Sequence, residues 1–336
     1  MLRRAVWFDA PYQVSVHEEP VAEPAPDRVL VQTLVTAISA GTELLFYRGQ
    51  VPIDLPLDAT IAALSGAVHY PLCYGYACVG RVIEVGAQLD RGWLGRLVFS
   101  FQPHVTHFTA LLAEVFPLPP DLSPQQAVFL PNMETAVNFL LDGAPLLGER
   151  VVVLGQGVVG LLTTALLTKM PVESLITLDR FALRREQAQR LGASASFDPF
   201  NDLDRAQEWL GEGRADLTFE LTGQPEALNL AIELTGFAGR IIIGSWYGRK
   251  SAALDWGERF HRSRIRLISS QVSTLTPDLL ARWNKDRRLE VAWSMLRRVP
   301  VCDLITRTFS ISEAAQAYAL LDQHPEQALQ VIFNYE

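Results

Sequence analysis

Along the first third of the chain, apolar and polar positions alternate, and this pattern then gives way to short, wholly apolar runs separated by helical spacings. Residues 28–35 have the β-branched character of a strand, and residues 80–86 alternate cleanly between two glycines. The opening residues 1–9 also read as a strand, because their apolar stretch is interrupted too early for a signal sequence. Turns at Pro20, Pro24, Pro26, Pro117, Pro119 and Pro120 punctuate this part, and the run at 117–120 marks a boundary.

Beyond that boundary, apolar runs at 150–154, 174–178, 216–220 and 240–243 predict strands. Residues 180–191 and 224–234 have helical spacing, and Gly192 is placed to end the first of these helices. Wholly apolar strands alternating with helices are the pattern of a parallel sheet covered on both faces, so the fold class is α/β. From about residue 260 the rhythm is lost. A helix over 310–323 and a closing strand over 329–334 complete the chain.

Composition narrows the function classes. The 336 residues are 49% apolar and carry a formal charge of -8 from 29 basic and 37 acidic side chains, a balance that argues against a nucleic-acid-binding face. The densest basic cluster, Arg282, Lys285, Arg287 and Arg288, is interleaved with Trp283, Leu289 and Trp293, which predicts an amphipathic helix with a solvated basic face. Only Cys73, Cys78 and Cys302 occur, too few and too irregular for a disulfide framework or a four-thiolate zinc knuckle, and in keeping with a reducing, cytoplasmic compartment. No apolar segment reaches the roughly 20 residues a membrane-spanning helix needs, so no membrane span is expected.

The most specific motif is Gly155-Gln156-Gly157-Val158-Val159-Gly160, directly after the run at 150–154 and opening a helical stretch. The first glycine permits the sharp turn, the second lets the backbone approach a pyrophosphate, and the third lets helix and strand pack closely. The ligand's negative charge would face the free amides of the helix N-terminus. Asp179, nineteen residues past Gly160, can accept both adenosine ribose hydroxyls and favours NAD over NADP. Arg180 beside it is the kind of group that meets a 2′-phosphate.

The order of these motifs resembles the medium-chain dehydrogenase/reductase superfamily. The resemblance is carried by Ile38-Ser39-Ala40-Gly41-Thr42-Glu43, by the stretch from Gly75 to Val82, by the glycine turn, and by Phe219-Glu220-Leu221-Thr222-Gly223. Phe260-His261-Arg262 and Ser269-Ser270-Gln271-Val272 resemble more specifically the subgroup that includes bacteriochlorophyllide dehydrogenases and proteins called zinc-binding alcohol dehydrogenases. The resemblance implies a GroES-like, β-rich catalytic domain over 1–120 and 262–336, and a doubly wound Rossmann domain over 121–261. It further implies that Thr135, Thr222, Gly223 and Ser245 line the nicotinamide and ribose, that the substrate is a small molecule, and that the chain forms a homodimer through the strand at 240–243.

Departures from the family pattern bear on mechanism. Where zinc-dependent members carry ligands, this chain has Ala40, Tyr76 and Asn132, so a zinc-free enzyme is expected. His104 and His107 could be offered as metal ligands with Cys78 or Glu43. Strand alternation, however, puts residues three apart on opposite faces, one buried and one solvated. Without a metal, hydrogen-bond donors must meet the charge that develops on a substrate oxygen. Thr42 aligns with the family's relay hydroxyl, Tyr76 could donate a phenolic proton, Asn132 could offer an amide, and Glu43 would orient its neighbours. The activity so implied is NAD-dependent hydride transfer between an alcohol and a carbonyl. The alternatives are a quinone or enone reductase and a non-catalytic NAD(H) sensor.

Overall fold

The apolar runs after residue 150 form a parallel sheet because each is buried on both sides. In chain order its strands are Arg150–Leu154, Ser174–Leu178, Ala195–Phe197, Ala215–Glu220, Thr235–Ile243 and Arg266–Ser269. Across the sheet they run third, second, first, fourth, fifth, sixth, all parallel. The chain therefore reverses direction of travel beside the first strand, where open α/β sheets bind their ligands. Alternate residues serve opposite faces: Val152, Ile176 and Ile241 join one buried cluster, and Val151, Val153, Leu217, Phe219 and Ile242 the other.

This computed structural model describes residues 1–52, 56–58 and 61–335. Five residues of the stretch 47–65, in which the sequence shows no pattern, lie outside the described residues. The chain divides into two compact units, Asn132–Met295, which holds the parallel sheet, and Met1–Pro131 with Leu296–Glu336. That division falls later than the sequence-based one at 120 and 262, for two reasons. Arg266–Ser269 extends the parallel sheet against Thr235–Ile243. In addition, the helix Lys285–Leu296 sends Arg288 into the helix Leu130–Gly143. The segment after residue 260 thus contains one more strand of the regular sheet.

Two further expectations change. Thr235–Ile243 is paired on both sides, so the free edges of the sheet belong to Ala195–Phe197 and Arg266–Ser269, and the strand at 240–243 cannot extend it. In the basic cluster the helix forms, but Arg288 is only 1% exposed. Its guanidinium donates to Glu134 Oε1 at 2.8 and 3.1 Å, to Asn138 Oδ1 at 2.6 Å and to the carbonyls of Val272 and Thr274. Burial raises the Glu134 carboxyl above its usual range against the opposing pull of Arg288.

The other unit is mostly β. Its larger sheet runs Ile305–Ser310, Gln330–Asn334, Arg28–Ala37, Cys78–Val85, Leu97–Ser100 and Val115–Pro117, with His107–Leu111 also pairing Arg28–Ala37. A smaller sheet joins Gln13–Pro20, Leu2–Ala10 and Leu72–Cys73. The predicted closing strand forms at Gln330–Asn334, and the helix before it starts at Ala314 after a tight turn. An unexpected helix, Ala40–Tyr47, packs Leu45 and Phe46 into a core with Phe8, Tyr318 and Phe333. No helix among the described residues is long and apolar enough to cross a membrane.

Candidate functional site

In the Asn132–Met295 unit the glycine turn has the geometry its sequence requires. Gly155 has φ +87°, and a Cβ there would lie 2.6 Å from the Leu221 carbonyl oxygen. A Cβ on Gly160 would lie 2.0 Å from the carbonyl oxygen of Gly155. Both positions are closed to any side chain. Gly157 differs, with nothing within 4 Å of its missing Cβ. It is the N-cap of the helix Val158–Leu167, with no side chain capping the first turn. The first-turn amides are left without a side-chain cap, which suits a dinucleotide pyrophosphate.

Two residues beside the turn take roles that spacing alone does not reveal. The Gln156 side chain is fully buried, bonded to Thr164 Oγ1 at 3.0 Å and to the Gly155 carbonyl at 3.2 Å, so it braces the turn from beneath. Asp179 Oδ2 accepts the Gln156 amide at 2.7 Å and Oδ1 accepts the Phe181 amide at 2.9 Å. Arg184 Nη1 also lies 3.7 Å from Oδ2, and the second lone pair of Oδ1 is left to accept a ribose hydroxyl. Arg180 and Arg184 lie over the Phe181 ring at 4.4 and 4.8 Å. They put positive charge beside Asp179.

Thr222, Gly223 and Ser245 come together at the carboxyl ends of neighbouring strands: the Gly223 amide donates to Ser245 Oγ at 2.9 Å. The residue that sequence reasoning missed is Glu220, fully buried at the end of its strand. It accepts the Thr222 amide at 2.8 Å, the Thr222 hydroxyl, and the Tyr247 hydroxyl at 2.5 Å. Burial and Glu220 together raise the Tyr247 phenol well above its usual range. Lys250 Nζ donates to the Gly223 carbonyl at 2.6 Å. Val158 and Val159 form the first turn of the helix. Asn132, expected to offer an amide to the substrate oxygen, and Thr135 both fall inside the helix Leu130–Gly143.

The β-rich unit brings Thr42, Tyr76 and Glu43 together around the start of the helix Ala40–Tyr47. The Tyr76 hydroxyl donates to Ser39 Oγ at 2.5 Å and lies 3.3 Å from Thr42 Oγ1. Burial pushes the Tyr76 phenol up to about 12, with the bonds to Ser39 and Thr42 working against that rise. Glu43 is fully buried: Oε1 accepts the Ser39 amide at 2.7 Å, and Oε2 faces His104 Nε2 at 2.9 Å and accepts the Tyr318 hydroxyl. His104 Nδ1 meets Thr36 Oγ1 at 2.7 Å, and Thr36 meets the Tyr335 hydroxyl at 2.9 Å. Gly75, at φ +132°, leaves room for the His104 ring, which a Cβ would approach at 2.9 Å.

His104 is buried and His107 half-buried rather than solvated, and because His104 precedes the strand His107–Leu111, strand alternation does not set its side. Tyr318 and Thr36 were not singled out by any motif, Ser39 stood in the Ile38–Glu43 stretch without a role, and His104 was offered only as a metal ligand. As for zinc, Ala40 offers no donor, Tyr76 is engaged by two hydroxyls, and the Cys78 thiol is buried against Thr33. Among the described residues no three His, Cys, Asp or Glu side chains are grouped to hold a metal ion. These side chains do not fit the thiolate and imidazole set that zinc takes.

Residues 158–284 match the family described as zinc-binding dehydrogenase. D-guloside 3-dehydrogenase of Escherichia coli K12 is 25% identical over 267 residues, covering 76% of each chain. Among solved structures, a zinc-binding dehydrogenase of Sinorhizobium meliloti bound to NADP superposes with a TM-score of 0.79 at 18% identity, covering 100% of both chains. An alcohol dehydrogenase of Escherichia coli complexed with NADH gives 0.77 at 18% identity, covering 99% of both chains. The fold is the α/β arrangement of a GroES-like domain and a Rossmann domain. The family match thus lies within the unit that carries the glycine turn, and the likeness to the solved structures is one of fold.

Proposed function

We propose that this chain is an NAD-dependent oxidoreductase that moves a hydride between nicotinamide and an alcohol or carbonyl substrate without catalytic zinc. The observation that carries the reading is the contrast within the glycine turn, closed at Gly155 and Gly160 and open at Gly157. Asp179 and the cluster of Thr222, Gly223 and Ser245 would hold the ribose and nicotinamide ends of the cofactor, and Thr135 would contribute to the same wall. When bound, nicotinamide supplies or accepts the hydride. The chain's own part is the proton. Tyr76 and Thr42 present hydroxyls to the substrate oxygen, and the buried Glu43 fixes the backbone that carries Ser39 and Thr42.

The name of the curated relative, a dehydrogenase of a sugar derivative, supports an alcohol substrate. The test is calorimetry of the full chain with NAD, NADH, NADP and NADPH, then a panel of polyols, secondary alcohols, aldehydes and enones, with elemental analysis of the purified protein. Tight NAD binding, alcohol turnover and no stoichiometric zinc are expected. Turnover of enones alone, or stoichiometric zinc, would sink the respective part. Arg180 and Arg184 over Phe181 favour NADP as the second reading, and a preference for NADP in calorimetry would establish it. The homodimer is also proposed, now through the free edge at Arg266–Ser269, and equilibrium sedimentation as a monomer would end it.

A further inference from the structure

Ser39 is the N-cap of the helix Ala40–Tyr47, yet its hydroxyl makes no capping bond. A serine in this position ordinarily accepts an amide from the first turn. Here the Thr42 and Glu43 amides bond the Ser39 carbonyl instead, and the hydroxyl is turned to Tyr76 at 2.5 Å. Glu43 fixes this arrangement from below by accepting the Ser39 amide, and Glu43 is itself gripped by His104 and Tyr318 from distant parts of the chain. Ser39 is half-buried, so its other side is within reach of water.

We propose that Ser39 is the proton-passing partner of Tyr76 and that the buried Glu43–His104 pair positions it. The inference rests on the functional reading above. As carbon gains the hydride from reduced nicotinamide, the Tyr76 O–H bond breaks and its proton goes to the substrate oxygen. The Ser39 hydroxyl swings to give its own proton to the Tyr76 oxygen and takes one from water. The net change is one proton from water to substrate, leaving hydroxide in solvent. No electrons move beyond those of the hydride.

Thr42, at 3.3 Å from the same phenol, is the more distant partner. The charged and titratable groups facing Tyr76 are Glu43 and Asp58, which raise its phenol further, and Tyr74, whose ring meets it edge-on at 6.0 Å.

The decisive experiment compares the full chain with Ser39→Ala and Ser39→Thr. Carbon-13 labelling of tyrosine Cζ, with Tyr76→Phe to assign the resonance, reads the bond without any substrate. The Tyr76 signal moves in Ser39→Ala and returns in Ser39→Thr. With a substrate from the panel, kcat falls about 10- to 100-fold in Ser39→Ala with KM unchanged and recovers in Ser39→Thr. A proton inventory in mixed light and heavy water, curved for the native chain, becomes linear in Ser39→Ala. An unmoved Cζ signal, or a kcat loss that threonine does not rescue, overturns the proposal. If no nicotinamide dinucleotide binds, the functional reading falls by itself, and the Cζ comparison still decides whether Ser39 partners Tyr76.

Discussion

The two units build their sites from different materials. In Asn132–Met295 the groups proposed to meet the nucleotide are backbone amides around Gly155, Gly157 and Gly160, placed by one strand, one turn and one helix that follow each other in sequence. In the β-rich unit the corresponding groups are side chains, and Glu43 is held by His104 and Tyr318, which lie 61 and 275 residues away. A local backbone device tolerates change elsewhere in the fold. A side-chain cluster gathered from afar depends on the whole unit being folded.

The largest expected effect tests whether long-range side-chain clusters occur in the first unit as well. Glu134→Ala would leave Arg288 buried without its carboxylate and should cost about 3–5 kcal/mol in urea unfolding. A loss under about 1 kcal/mol would mean that the Val272 and Thr274 carbonyls suffice. Next, Arg240→Met removes bonds from the Arg240 guanidinium to both oxygens of Glu149, at 2.7 and 2.8 Å, and to the Gly143 and Ala144 carbonyls, and should cost about 2 kcal/mol at neutral pH.

That cost depends on pH. Burial acts to raise the Glu149 carboxyl, but its bonds from Arg240 and the Leu146 amide hold it below its ordinary value. The Glu149 share of the stabilisation is therefore complete above the unfolded value near 4.5 and disappears as pH falls through the lower folded value. The gap between native and Arg240→Met melting curves should narrow on that acid side without closing, because the bonds to the Gly143 and Ala144 carbonyls do not titrate. A gap that widens with acid would contradict the assignment.

On the β-rich side, Tyr318→Phe deletes one donor to Glu43 and should cost about 1.5 kcal/mol while keeping the fold. No change in the melting curve would show that His104 and the Ser39 amide satisfy the carboxylate without it. The smallest effect on stability is the sharpest test of the contrast. Gly157→Ala should change stability by less than about 1 kcal/mol, because its Cβ meets nothing and the helix merely gains a poorer N-cap. It should still weaken NAD binding at least about 10-fold by calorimetry, through a methyl placed where the pyrophosphate would lie. Equal affinity in native and variant chains would remove the pyrophosphate from that spot.

Legibility in the sequence followed the same division. Four of the six parallel strands, Gly192 at φ +104° and the turn were readable because each is a short-range pattern whose cause lies within a few residues, whereas the three-residue strand Ala195–Phe197 was too short to show one. Arg266–Ser269 escaped notice because only four residues carry it and its outer side has no neighbouring strand. The helix Ala40–Tyr47 was hidden because Ala40-Gly41-Thr42 reads as a turn, and the helix is fixed by the burial of Leu45 and Phe46. Thr42, Glu43 and Tyr76 were found through resemblance. The groups that hold them, His104 and Tyr318, are isolated in the sequence and meet only in three dimensions.

Ser39 also has a consequence for how this protein could change. Its helix starts without the bond that such a serine usually supplies, a loss of typically ~1 kcal/mol. Tyr76→Phe would release the hydroxyl to turn back onto its own first turn. A chain silenced in this way should melt no lower than the native one, so drift toward an inactive but sturdy protein would meet little resistance from folding. Selection for turnover alone would keep the tyrosine in place.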